Sequence, residues 1–83
     1  MNERERLLTE ALLEALAAQL EPTADAVLHA LVQIKTVRHT FEDFAAILKN
    51  CEREKWVKGT HSRVKGINVW QITDAGRLAL AEL

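Results

Sequence analysis

The residues best suited to chemistry form a basic run near the C-terminal end of the sequence. Between residues 55 and 73 there are four basic side chains and no acidic one. Basic and hydroxyl side chains contact phosphates, and such groups on a hairpin can also enter a minor groove. The candidate DNA contacts of this run are Lys58, His61, Ser62, Arg63 and Lys65. The alternative is that the charges only keep an exposed hairpin from pairing with other chains.

A second candidate surface lies on the segment just before this run. Residues 41–54 place apolar side chains on one helical arc and leave the opposite face polar. The candidate contacts here are Lys49, Asn50 and Arg53, with Arg38 in the preceding turn. Asparagine can read adenine and arginine can read guanine. Because Glu42 and Asp43 would repel phosphate at the start of this helix, a merely solvated face fits the pattern equally well.

Catalysis and metal binding have little support in the sequence. Ser62 is the only serine and has no catalytic motif around it, while Cys51 lies on an apolar arc, where a thiol is usually inert. The histidines His29, His39 and His61 do not have metal-ligand spacing, and His29 is expected to face solvent. We therefore expect no enzyme activity, no cofactor and no metal.

Length and composition indicate one soluble domain spanning residues 1–83. A single cysteine excludes an internal disulfide and favours a reducing, cytoplasmic setting. The net charge of −1 hides an asymmetry, because residues 1–34 hold six acids and two bases while residues 35–73 hold four acids and eight bases. A local basic region can attract an anionic partner even on a nearly neutral protein.

The elements that must position the candidate residues follow from periodicity and from capping residues. We predict helices at about residues 3–20, 24–34, 41–54 and 74–82, and a hairpin at about 56–72. Pro22 should end the first helix and Thr23 should cap the second. Residues 35–40 suit a turn or a very short strand centred on Val37. Thr40 should form a capping box with Asp43.

Three predictions concern how these elements pack. Trp70 and Leu48 should be buried within reach of Phe44, since hairpin and third helix share no other apolar faces. The second helix should have one apolar face, formed by Val27, Leu28, Leu31 and Ile34. The last helix should pack against the core through Ala75, Leu78, Ala79 and Leu83. The first helix is apolar around most of its circumference, which fits either a homodimer interface or alanines chosen for helix propensity.

Two stretches carry a family resemblance: residues 48–57, Leu-Lys-Asn-Cys-Glu-Arg-Glu-Lys-Trp-Val, and residues 72–77, Ile-Thr-Asp-Ala-Gly-Arg. They resemble parts of winged-helix regulators of the MarR and PadR type. Residues 48–57 are similar to a recognition helix that runs into the first wing strand, and residues 72–77 to the exit from the second wing strand. The resemblance covers about residues 24–79. It implies a mainly helical α+β fold, a winged helix-turn-helix with an extra N-terminal helix, a hairpin wing and a short C-terminal helix.

The sequence departs from this family at two points. Lys55 stands where a glycine commonly ends the recognition helix. The number of helices also permits two alignments, one with an extra N-terminal helix and one in which that helix is the first of three.

Two functions are compatible with this sequence. The first is a small, homodimeric transcriptional regulator that binds duplex DNA through the third helix and the basic wing. The second is a winged-helix adaptor or inhibitor that binds a protein partner. A continuous positive face across helix and wing would favour DNA, and an interrupted face would favour a protein.

Overall fold

The computed structural model describes residues 1–64 and 66–83, so the DNA contact predicted for Lys65 lies outside the described residues. The chain is mainly helical α+β, as predicted. Its elements in order are α1 (Glu3–Ala17), β1 (Thr23–Ala24), α2 (Asp25–Lys35), α3 (Phe41–Arg53), β2 (Val57–Ser62), β3 (Ile67–Ile72) and α4 (Asp74–Glu82). The strands form an antiparallel sheet in the order β1-β3-β2.

Helix α1 forms the centre of the core. Leu12, Leu13 and Leu16 are at most 2% exposed, and the helix packs against α2, α3, α4 and β3. The breadth of its apolar face is thus accounted for within one chain, and it does not by itself require a second subunit. The helix ends at Ala17 rather than near residue 20, which leaves Leu20 fully exposed in the following turn.

The short first strand lies in a different place from the one predicted. Thr23 and Ala24 are extended because they pair with Trp70 and Val69 of β3. The prediction of Thr23 as a helix cap was therefore wrong, and Ala24 precedes α2 without a side-chain cap. The strand suggested around Val37 was also wrong, because that segment is an irregular connection between α2 and α3.

The position of β1 bears on the two alignments left open by the sequence. Since β1 lies between α1 and α2, three helices precede the hairpin and α1 is the first of them. Helix α1 also packs directly against both other helices. The fold is thus winged-helix-like with α1 as an integral member, which matches the second alignment.

Helix α2 is turned relative to the predicted face. Leu28 and Val32 are buried, whereas Val27 is 53% exposed and Ile34 is 82% exposed. The buried stripe follows an i, i+4 spacing toward α1, so the side chains at either end of the predicted stripe face outward. This rotation also brings His29 inward against α3, which contradicts its predicted solvation.

Helix α3 begins and packs largely as predicted. Thr40 and Asp43 form the expected capping box, with the Thr40 Oγ1 accepting from the Asp43 amide at 3.1 Å. Phe44, Leu48 and Trp70 are buried and line one groove, which confirms the predicted cluster. Phe41, the first apolar residue of the arc predicted for residues 41–54, is 53% exposed at the first position of the helix, so the arc is not buried at its start.

Helix α4 closes the domain through the Thr-Asp-Ala-Gly motif. The Thr73 Oγ1 accepts from the Gly76 amide at 3.0 Å and donates to the Lys55 carbonyl at 2.7 Å. Gly76 is buried so closely that a Cβ there would lie 2.1 Å from the Trp56 carbonyl oxygen.

The inner face of α4 differs from the predicted one. The side chains that pack against the core are Ala79, Leu80 and Leu83. Ala75 and Leu78 were wrongly predicted as core residues and are exposed. The first turn of this helix meets the hairpin through the close approach of Gly76, so the apolar contacts with the core come from its later part.

Candidate nucleic-acid interface

The hairpin presents two faces with different neighbours. His61 pairs across the strands with Asn68, and Gly59 with Trp70; these four residues line a groove beside α3. Because successive strand residues point to opposite faces, Lys58 lies on the other face of the hairpin. The structure therefore separates Lys58 from the candidate contacts of α3.

Three further candidates, His61, Ser62 and Arg63, lie near the tip of the hairpin. The His61 Nδ1 lies 3.0 Å from the Asn68 Oδ1, so a cross-strand contact orients the imidazole ring. Arg63 is exposed in the turn after β2, and Ser62 is half-buried at the end of that strand. Arg63 has no ion pair among the residues described, so its guanidinium is available to an anion.

The outer face of α3 carries the second group of candidates. Lys49 and Arg53 are exposed, and Asn50 is half-buried toward α1. The Arg53 Nη2 donates to the Asn50 Oδ1 at 2.9 Å, about one helical turn away. If Asn50 bound a base through both its amide oxygen and its amide nitrogen, the base would have to replace the hydrogen bond from Arg53.

The acidic start of α3 is partly neutralised by a residue that the sequence interpretation missed. The Arg4 guanidinium lies 3.1 Å from the Asp43 carboxylate and also donates to the Arg38 carbonyl at 3.0 Å. Hydrogen bonding from the Thr40 amide, with help from Arg4, lowers the pKa of Asp43. The pair is separated by 39 positions, so no local spacing could have revealed it.

Glu42 is different from Asp43, because it is exposed and has no ion pair within the described ranges. The repulsion of phosphate that the sequence suggested for two carboxylates is therefore expected from Glu42 above all. Arg38, whose backbone is held by Arg4, is exposed in the connection just before the helix and adds a positive charge there.

A groove of about 400 Å³ separates α3 from the hairpin. Its walls include the aromatic rings of Phe41, Phe44 and Trp70, and the Trp70 indole donates to the Asp25 carboxylate. Lys49 contributes a positive charge to the rim. Because Asp25 and Glu52 also line the groove, the positive surface from α3 to the hairpin is interrupted.

Metal and membrane sites find no support in the described part of the chain. Residues 1–64 and 66–83 contain no group of three or more histidine, cysteine, aspartate or glutamate side chains that could hold a metal ion. Burial raises the pKa of the Cys51 thiol to about 12, so this cysteine is not a reactive thiolate. None of the helices described is long and apolar enough to cross a membrane.

Comparison with known proteins bears on the fold. No family model and no curated protein matches the sequence. The structure is similar to the crystal structure of a putative transcriptional regulator from Thermoplasma acidophilum, with a TM-score of 0.73 and 23% sequence identity. The similarity covers 94% of this chain and 77% of that one. At this identity the likeness shows a shared fold.

Proposed function

We propose that this chain is a DNA-binding transcriptional regulator that contacts duplex DNA through α3 and the tip of the β2–β3 hairpin. The observation that carries the proposal is the placement of Lys49 and Arg53 on the exposed side of α3, with Arg63 exposed at the hairpin tip. The similar fold of a protein described as a transcriptional regulator supports the same function. We propose no enzyme activity and a cytoplasmic location.

The proposed contacts divide into two kinds. Arg63, at the hairpin tip, and Lys65 bind phosphates, and His61 and Ser62 lie where they can approach a minor groove. On α3, the proposed contacts with bases and backbone are made by Lys49, Asn50 and Arg53, with Arg38 beside them. Lys58 contributes a phosphate contact from the outer face of the hairpin, separate from the groove.

We also propose that the protein acts as a homodimer. The support comes from exposed apolar side chains outside α1, since Leu20, Ile34 and Leu78 are at least 69% exposed. Two copies would contact two half-sites of the DNA, so the small protein–DNA interface of one copy would be doubled. Light scattering coupled to gel filtration tests this proposal. A monomer mass at tens of micromolar would contradict it.

The DNA proposal is tested by binding to random duplex DNA over a series of salt concentrations. Removing one lysine or arginine that binds a phosphate should reduce the slope of log affinity against log salt by about one unit, because one condensed counterion fewer is released. We expect this result for Arg63→Ala and Lys65→Ala with all duplex sequences alike. Asn50→Ala should leave the slope nearly unchanged and relax sequence preference by about 1–3 kcal/mol.

Gln33→Ala serves as the matched control, because it changes an exposed, uncharged side chain outside the proposed contacts. Its slope should equal that of the wild-type protein. Absence of duplex binding even at low salt, where electrostatic attraction is least screened, would reject the DNA proposal.

One observation favours a second function, binding of a protein partner. Asp25 and Glu52 interrupt the positive surface between α3 and the hairpin. An apolar groove with mixed charges at its rim suits a protein segment better than a phosphate backbone. This function would become the leading one if the salt series showed no binding to duplex DNA.

A further inference from the structure

Two histidines that are far apart in sequence lie together where α2 meets α3. The His29 ring centroid is 5.3 Å from that of His39, 5.1 Å from Phe41 and 4.8 Å from Phe44. His39 is only 8% exposed. The pair therefore joins the middle of α2, the connection before α3 and the first turn of α3 in one aromatic cluster.

Hydrogen bonding fixes the proton on one of these rings. The His39 Nδ1 lies 2.9 Å from the Val37 carbonyl oxygen, which can only accept, so this nitrogen carries the hydrogen. In the neutral ring the Nε2 is then an unprotonated acceptor. The Nε2 atoms of both His29 and His39 are buried and have no hydrogen-bond partner within the described residues.

Adding a proton to this cluster is costly. An imidazolium carries hydrogen on both nitrogens, so protonated His29 would bury a charged N–H group without an acceptor. Burial first, and the neighbouring His39 second, lower the pKa of His29. Opening the cluster would let water solvate the new charge.

The charged groups around the pair do not offset that cost. Asp43, on α3, interacts electrostatically with His39, but its carboxylate already accepts from the Thr40 amide and from Arg4. Arg4, on α1, is itself positive and holds the Arg38 carbonyl in the same connection. In the part of the chain that the structure describes, no carboxylate forms an ion pair with the His29 ring.

We propose that the His29–His39 pair is a pH-sensitive switch, in which protonation of His29 separates the start of α3 from α2 and weakens duplex binding. The inference rests on the proposed function, because the moving parts are the first turn of α3 and the connection that carries Arg38. At neutral pH the His29 ring is neutral and α3 is held in place. In mild acid the cluster opens and the DNA-contacting surface is disturbed.

The test measures binding and structure separately in the chain of residues 1–83. His61 is another imidazole close to the proposed interface, so binding is measured in a His61→Gln background that removes it from the comparison. Fluorescence anisotropy at constant ionic strength compares pH 7.5 with pH 5.0. Affinity should fall about tenfold in His61→Gln, within the range of about 5–150-fold that is typical of coupling between two sites.

Combining His29→Phe with His61→Gln should remove most of that change, because phenylalanine keeps the aromatic packing and cannot take up a proton. An equal decrease of affinity in both proteins would overturn the inference. His29→Gln, also unable to titrate in this range, replaces His29→Phe if the phenylalanine variant does not fold.

Nuclear magnetic resonance gives the readout that is independent of DNA. The backbone amides of residues 36–44 should shift with the same midpoint as the His29 ring in the wild-type protein, and shifts with that midpoint should be absent in His29→Phe. If these amides do not respond, the proposed pH-sensitive switch is rejected even when DNA binds. If they respond and no DNA binds at either pH, the switch is supported and the proposed function is rejected.

Discussion

The core around α1 and the surface formed by α3 and the hairpin differ in how they use their residues. Leu12, Leu13 and Leu16 are buried and contribute to stability only through packing. Lys49 and Arg63 are exposed and unpaired among the described ion pairs, so they contribute little to stability. Stability and anion binding are thus carried by separate parts of a small domain, and each can be changed without the other.

The largest effect that would test this separation is expected from Leu13→Ala. Leu13 is 0% exposed, so truncation leaves a cavity at the centre of the core. The free energy of unfolding should fall by about 2–5 kcal/mol, as measured by chemical denaturation. Val64→Ala is the control, because Val64 is 97% exposed and its truncation should change stability by less than about 0.5 kcal/mol.

The next effect is expected where the core meets the hairpin, at Gly76. Alanine favours a helix by about 1 kcal/mol over glycine. At this position, however, a Cβ would lie 2.1 Å from the backbone oxygen of Trp56. We expect Gly76→Ala to reduce stability by about 1–3 kcal/mol through overpacking. Denaturation with urea, followed by tryptophan fluorescence, measures it.

Ala75→Gly provides the matched control for this prediction. Ala75 is exposed one position earlier in the same helix, so replacing it by glycine should cost about 1 kcal/mol through helix propensity alone. If Gly76→Ala instead increased stability, helix α4 would have to pack less closely against Trp56 than the structure shows.

Features of the fold that depend on neighbouring residues could be predicted from the sequence, and features that depend on distant residues could not. The capping box at Thr40 and the buried faces of α1 and α3 followed from local patterns, because capping and helical periodicity depend on residues a few positions apart. The strand at Thr23 did not follow, since its extended backbone depends on pairing with Trp70 far along the chain. The inward position of His29 likewise depends on contacts between separate elements.

The candidate site was predictable in composition and less so in geometry. The sequence identified exposed bases such as Lys49 and Arg63, because charged side chains are rarely buried. It could not show which face of the hairpin packs beside α3, and therefore that Lys58 lies on the other face. It also could not show that Arg4 partly neutralises Asp43. Those relations arise from strand register and from a contact across 39 positions.

A pH-dependent effect on stability should appear at the boundary between the two regions. Because the pKa of His29 is lowered from 6.5, the unfolded chain binds this proton more readily than the folded chain. The stability associated with neutral His29 is therefore complete above pH 6.5 and decreases as the pH falls toward the lowered pKa. Urea denaturation between pH 7.5 and pH 5 should show a smaller decrease in His29→Phe than in the wild-type protein.

The smallest expected effect is a gain in stability at the end of α3. The Lys55 amide donates to the Glu52 carbonyl at 3.0 Å and the Trp56 amide to the Cys51 carbonyl at 2.9 Å, which is the pattern of a Schellman motif. Lys55 occupies the left-handed position of that motif with φ 64°. Because glycine adopts this conformation without steric cost, Lys55→Gly should stabilise the protein by about 0.5–1 kcal/mol.

Gly66 in the hairpin turn is the matched counterpart of Lys55. Its φ is 65° and no atom lies within 4 Å of the position that a Cβ would occupy, so Gly66→Ala tests the backbone cost without a packing change. This variant should be destabilised by about as much as Lys55→Gly is stabilised. Thermal denaturation of both variants compares the two ends of the α3–hairpin surface directly. A decrease of stability in Lys55→Gly would mean that the lysine side chain stabilises this end of α3 by more than its backbone strain costs.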